Sequence, residues 1–90
     1  MQYKDENTEK LIRVFGEILN EERGKLQKSL NLWSNEYGLD PGNISRIENG
    51  KIEVKFTMLW RSAEALDKPL SSIIKLVEER LGKDFHIISK

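Results

Sequence analysis

Ninety residues without a cysteine fit one domain that can bury a single core unaided, and exclude both a disulfide framework and a thiolate metal site. Fifteen basic residues balance fifteen acidic ones, and this zero net charge argues mildly against nucleic-acid binding, because neutralised phosphates supply most of that affinity. The longest apolar runs, such as Ser72-Ile73-Ile74 through Leu76-Val77, are broken by charge well short of the roughly 20 residues of a membrane span; with the acidic, polar start Met1-Gln2-Tyr3-Lys4-Asp5-Glu6, unlike a signal peptide, they lead us to expect a cytoplasmic chain without a membrane partner.

In chain order, residues 1–7 read as a tail and Thr8, a candidate N-cap, opens a first helix running to about Leu26. Leu11, Ile12, Phe15, Ile18 and Leu19 recur there at spacings of three and four, the period of one helical face. Ser29 caps a second, shorter helix with Leu30, Trp33 and Tyr37 on one stripe and Gly38 at its end. Asp40-Pro41 then opens a third, an N-cap followed by a proline whose fixed φ suits the first helical position. Ile44 and Ile47 face inward on it, Asn43, Ser45, Arg46 and Glu48 point elsewhere, and Asn49-Gly50 closes it.

Lys51 to Lys55 reads as a connecting loop despite the alternation of Ile52 and Val54. A fourth helix, Phe56 to Leu66, has Phe56, Leu59, Trp60, Ala63 and Leu66 as its apolar face and ends before Pro69. Ser71 caps a fifth helix through Leu81, stopped by Gly82. In the tail 83–90, Phe85-His86-Ile87-Ile88 is more strand-like than helical. Residues 8–82 thus form one all-α domain with no internal repeat.

Charge is unevenly spread along this frame. Between Lys25 and Arg61 six basic residues face four acidic ones, leaving nine against eleven elsewhere, so the middle is weakly basic. Within it, two short helices meet at Gly38-Leu39-Asp40-Pro41. A turn of that length suits a helix-turn-helix, in which the second helix enters a DNA major groove about 12 Å wide, and suits a plain helical bundle as well.

The residues themselves favour the first. Ser29-Leu30-Asn31-Leu32-Trp33-Ser34-Asn35-Glu36-Tyr37-Gly38-Leu39-Asp40-Pro41-Gly42-Asn43-Ile44-Ser45-Arg46-Ile47-Glu48-Asn49-Gly50-Lys51 closely resembles the helix-turn-helix of the lambda repressor and Cro-like family, also called the XRE family, most specifically over Ile44 to Lys51. Gly16-Glu17 and Arg23 upstream, and Leu59, Ala63, Ala65 and Leu66 downstream, fall at matching distances. The resemblance covers roughly Phe15 to Ile74 and implies a compact five-helix lambda repressor-like bundle, a homodimer on a near-palindromic operator in double-stranded DNA, no catalysis and no cofactor.

Carried over by position, the resemblance implies base contacts from Pro41, Gly42 and Arg46, with Asn43 and Ser45 beside them. Proline and glycine offer no polar side chain, so Arg46 is expected to carry most readout, its planar fork matching guanine O6 and N7, with Asn43 second. Phosphate contacts are implied at Ser29 and Leu30, at the start of the second helix, and at Asn49, Lys51 and Lys55; at Leu30 a customary glutamine clamp is missing. Arg23 and Glu48 match a structural ion pair. Trp33 and Trp60, on apolar stripes, are expected in the core.

Catalysis finds little support. His86 stands alone near the C-terminus with no partner for a triad or a metal, and the adjacent carboxylates Glu21-Glu22 and Glu78-Glu79 diverge by about 100° on their helices, as solvated faces do. Gly42 and Gly50 match no phosphate-binding loop. The other function class is a protein-interaction module, such as an antitoxin whose partner is a toxin; a controller protein of a restriction-modification system is a further regulatory alternative. The fifth helix is richer in apolar residues than one inward stripe needs, so Ile73, Leu76 and Leu81, with Phe85 and Ile87 of the tail, are the expected dimer surface.

Overall fold

A computed structural model describes residues 5–88. It holds five helices in the order α1 (Glu6–Lys25), α2 (Leu30–Glu36), α3 (Pro41–Glu48), α4 (Phe56–Ala65) and α5 (Leu70–Leu81), with no strand among the described residues. The all-α, five-helix expectation therefore holds, including the loop at 51–55. None of these helices is long and apolar enough to cross a membrane.

Local chemistry sets most boundaries. Ser29 Oγ accepts from the Leu32 amide at 3.1 Å, and Asp40 Oδ1 from the Gly42 amide at 3.3 Å with Pro41 following, so α2 and α3 are capped as expected. Gly38 has φ +67°, and this left-handed residue reverses the chain between them at little steric cost.

Two caps differ from expectation. α1 starts two residues before Thr8, because the Asp5 carboxylate accepts from the Asn7 amide and from the Thr8 hydroxyl, both at 3.0 Å; an anion at the helix start is also favoured by the dipole. Residues 5–7 thus belong to the helix and its cap, and residues 1–4 of the expected tail lie outside the described residues. Ser71 sits inside α5, which Pro69 leads in without a side-chain cap; the Ser72 hydroxyl donates to the Pro69 carbonyl at 2.8 Å instead.

The core is built around α1 and the two isoleucines of α3: Val14, Phe15, Ile18, Leu19, Ile44 and Ile47 are all buried, joined by Ile73 and Val77 of α5. Trp33 is wholly inside as expected, its indole N–H donating to the Ala65 carbonyl at 3.0 Å. Trp60 is not. It is 53% exposed and Phe56 69%, while α4 turns Ser62, Ala63, Ala65 and Leu66 inward. With Trp33 filling the space beside α4, small residues fit against it and the larger aromatics do not.

The tail also departs from expectation. Phe85-His86-Ile87-Ile88 follows a turn at residues 83–84 and is irregular, with a bend at Ile87 and Ile88, not a strand. It folds back on α1, where Asn7 Nδ2 donates to the His86 carbonyl at 2.9 Å and the Lys10 ammonium lies 6.0 Å from the Phe85 ring centre. The last two residues of the expected tail lie outside the described region.

Candidate nucleic-acid interface

α3 is positioned from beneath by α1. A Cβ built on Gly16 would overlap the Ile47 carbonyl oxygen and lie 3.0 Å from that of Glu48, so only glycine lets the two backbones come this close. Beside this contact, Arg23 grips Glu48 with Nε and Nη2, each at 2.8 Å, and Asn20 Nδ2 adds a bond at 2.9 Å. The third arm of the guanidinium, Nη1, donates to the Lys28 carbonyl at 2.9 Å, tying in the turn before α2. The side chains are 12% and 4% exposed, and the Glu48 carboxylate holds the Arg23 proton even more firmly than usual. The expected Arg23–Glu48 pair is thus present as a bidentate bridge from α1 to the end of α3.

With its inner side fixed, α3 presents Arg46 outward. Arg46 is exposed, and its Nη2 donates to Asn43 Oδ1 at 2.6 Å, one turn earlier. The guanidinium lies over Gly42, where a Cβ would meet Nη1 at 3.5 Å. Arg46 and Asn43 therefore form one unit: the amide oxygen is used inside the pair, while the Asn43 NH₂ and the remaining guanidinium N–H groups are left to donate outward. Pro41 is half-buried and Gly42 exposed; neither adds a polar side chain, so they give this end of the helix a low profile.

The other sequence-predicted contacts are divided. Lys51 and Lys55 are exposed, flanking the loop after α3. Asn49 is exposed but already donates Nδ2 to the Ser45 carbonyl at 2.8 Å, with Ser45 Oγ at 3.5 Å. The Ser29 hydroxyl caps α2. The Leu30 side chain is half-buried against the core, so at that position the side chain packs inward and only the backbone at the start of α2 faces out. Of the acidic residues in the weakly basic middle, Glu36 is held by Lys28 at 2.8 Å and Glu48 by Arg23, which leaves Asp40 and Glu53 exposed near the three basic side chains of this face.

The expected dimer surface on α5 is partly withdrawn. Ile73 is 1% exposed and belongs to the core, because α5 packs this face onto α1. Leu76, Leu81 and Phe85 are half-buried, and Ile87 is 41% exposed.

Sequence reasoning missed three charged clusters that tie parts of the scaffold together. Glu22 is buried and bound by Lys25 at 2.6 Å and by Lys68 from the α4–α5 connection; the hydrogen bonds from Lys25 and then Lys68 hold its carboxyl below the usual value. It is no solvated face. Arg80 of α5 takes both Glu21 oxygens at 2.7 Å, lowering the Glu21 pKa in the same way. Lys28 with Glu36 is the third. The Glu22–Lys25 pair, at i and i+3, had a spacing signal; for Lys68 and Arg80 only the charge sign hinted at pairing, since their partners lie far away in sequence. Elsewhere, His86 Nδ1 lies 3.0 Å from the Asp84 carbonyl, and the described residues bring no three metal-ligating side chains together.

No protein-family model matches the chain, and no curated protein does either. Among solved structures it is similar to the clp gene regulator ClgR from C. glutamicum, with a TM-score of 0.72 at 21% identity, over 80% of this chain and 94% of that one. That likeness establishes a shared helical fold.

Proposed function

We propose that this chain is a sequence-specific DNA-binding transcriptional regulator of the lambda repressor/Cro-like (XRE) type, without catalytic activity, acting as a repressor from a near-palindromic operator bound as a homodimer. The observation that carries this is the outward face of α3, where Arg46 and Asn43 form a donor-rich pair over the open position at Gly42, on a helix that Gly16 and the Arg23–Glu48 bridge fix from behind. Placed in a major groove, the Arg46 fork suits guanine O6 and N7 and the Asn43 amide suits a neighbouring acceptor. Lys51 and Lys55 then supply phosphate contacts, which position the helix without reading sequence. The likeness in fold to a gene regulator adds support.

Two such helices related by a two-fold axis would meet half-sites about 34 Å apart, one turn of DNA. Selection of binding sequences from a random duplex pool tests the proposal: it predicts an enriched inverted repeat. Replacing Lys51 by alanine should weaken binding to selected and random duplexes alike and lower the salt slope by about 1. A pool that stays random after repeated selection would move the protein to the interaction-module class.

A further inference from the structure

We propose that the cavity enclosed by α1, the 51–55 loop, α4, α5 and the tail is a binding site for a small apolar amine, with a body about the size of two fused rings and its protonated nitrogen held by the Glu53 carboxylate. The cavity measures about 270 Å³. Its wall is apolar: Leu11 and Phe15 of α1, Ile52 and Val54 of the loop, Leu59 of α4 and Ile74 of α5. All of these except Phe15 are only half-buried, since they border this space. A cavity of about 150 Å³ with such a wall is enough for benzene, and sites for drug-sized molecules begin near 300 Å³. Two fused rings fall between these sizes.

The polar groups of the wall, Thr8 and Glu53, select among apolar molecules. The Thr8 hydroxyl already donates to Asp5 Oδ2 at 3.0 Å, so toward the cavity it can only accept, as the Glu53 carboxylate does. Among the described residues no basic side chain lines the cavity. Lys51 and Lys55 flank Glu53 in sequence and are exposed, and Lys10 lies against Phe85. A carboxylate or phosphate on the ligand would meet an acidic group and no side-chain donor. An ammonium meets a partner of opposite charge while its apolar body leaves water. Glu53 is itself exposed, so the charge stays at the mouth, where it costs little desolvation.

The tail supplies a way in. Ile87 is 41% exposed, more than any other apolar residue of the wall. The exposed hydrogen bond from Asn7 to the His86 carbonyl and the Lys10–Phe85 contact hold this segment down, and ties of that kind at a surface are weak enough to open for entry. Ile52 and Val54 carry the wall into the segment between Lys51 and Lys55. The site therefore borders the proposed phosphate contacts without depending on them.

Isothermal titration calorimetry of the full chain without DNA tests this, with 1-naphthylmethylamine as the probe and 1-naphthylmethanol and 1-naphthylacetic acid as neutral and anionic counterparts. The amine should bind one to one with a dissociation constant of about 100 µM, a strength that ligands of this size reach. The alcohol should bind about tenfold more weakly, and the acid not measurably. Glu53→Gln should reduce the amine to the affinity of the alcohol. The cavity-filling changes Val54→Phe and Ile74→Phe, made separately, should each abolish binding with helical circular dichroism kept. Phe56→Ser/Trp60→Ser, which removes the exposed aromatic pair of α4, should leave binding unchanged.

An amine that gives no binding at millimolar concentration would overturn the proposal. So would an acid that binds as tightly as the amine, a Glu53→Gln protein that binds the amine as the wild type does, or binding that survives in a folded cavity-filling variant. Binding lost with the α4 aromatic pair would assign the probe to that surface instead. The preference of the wild type for selected over random duplex is measured without the probe, so the site and the DNA-binding proposal fail separately.

Discussion

Helices α3 and α4 are both short and both carry a regular apolar stripe, yet the molecule uses them in opposite ways. In α3 the stripe is the inside: Ile44 and Ile47 are buried, Gly16 brings α1 against the backbone of its last turn, and Glu48 is gripped by Arg23. In α4 the bulkiest apolar residues are outside, and serine and alanine line the side that meets Trp33. The contrast teaches that hydrophobic spacing marks a face without saying which way it turns. Direction is decided by the volume the neighbouring helices leave.

The sharpest way to break this arrangement is at the α1–α3 contact. Gly16→Val places carbon where the Ile47 carbonyl oxygen already stands, so α3 must lift away; the expected loss exceeds about 3 kcal/mol, read as a collapse of the thermal transition followed by circular dichroism. Next in size is Arg23→Ala, which strands a 4%-exposed carboxylate with one amide partner. It should cost about 3 kcal/mol, and the Arg23→Ala/Glu48→Ala double variant should cost less than the two single changes added together, a coupling measurable by urea unfolding.

Acid provides a milder perturbation. The hydrogen bonds from Lys25 and then Lys68 hold the Glu22 carboxyl below the ordinary glutamate range. A depressed carboxylate contributes stability that is complete above its unfolded pKa and is lost as pH falls through the folded one. As pH falls through and below the ordinary glutamate range the wild type should therefore lose more stability than Glu22→Gln, which has no such proton to take up; equal losses would show that the two lysines contribute nothing. The smallest effect is expected at the inner side of α4. Ser62 Oγ is buried without a partner, as is Ser34 Oγ of α2, so Ser62→Ala should be neutral or stabilising by up to about 1 kcal/mol in the same urea experiment.

Where the sequence was read correctly, the signal was local. Ser29, Asp40-Pro41 and Gly38 determine the ends of α2 and α3 through their own backbone chemistry, and Ile44 with Ile47 are the only large aliphatic residues of α3, so no competing apolar face existed there. Arg46 was legible as an outward side chain for the same reason, but its bond to Asn43 was not, since spacing places two residues on one face without fixing their rotamers. Trp60 and Ile73 were misplaced because each depends on what packs opposite: Trp33 excludes the first from the core, and α1 draws the second in. The Asp5 cap was missed in favour of Thr8 because both are good capping types, and the carboxylate serves the amide and the threonine hydroxyl together.

The central claim is that the Arg46–Asn43 face of α3 reads DNA sequence. Its most direct test is the ratio of affinities for a selected operator and for random duplex, measured for the wild type and Arg46→Ala at one fixed salt concentration. The wild type should show a clear preference that falls by the equivalent of about 1–3 kcal/mol per half-site in Arg46→Ala, with binding to random duplex changed far less. An Arg46→Ala protein that discriminates as well as the wild type would contradict it.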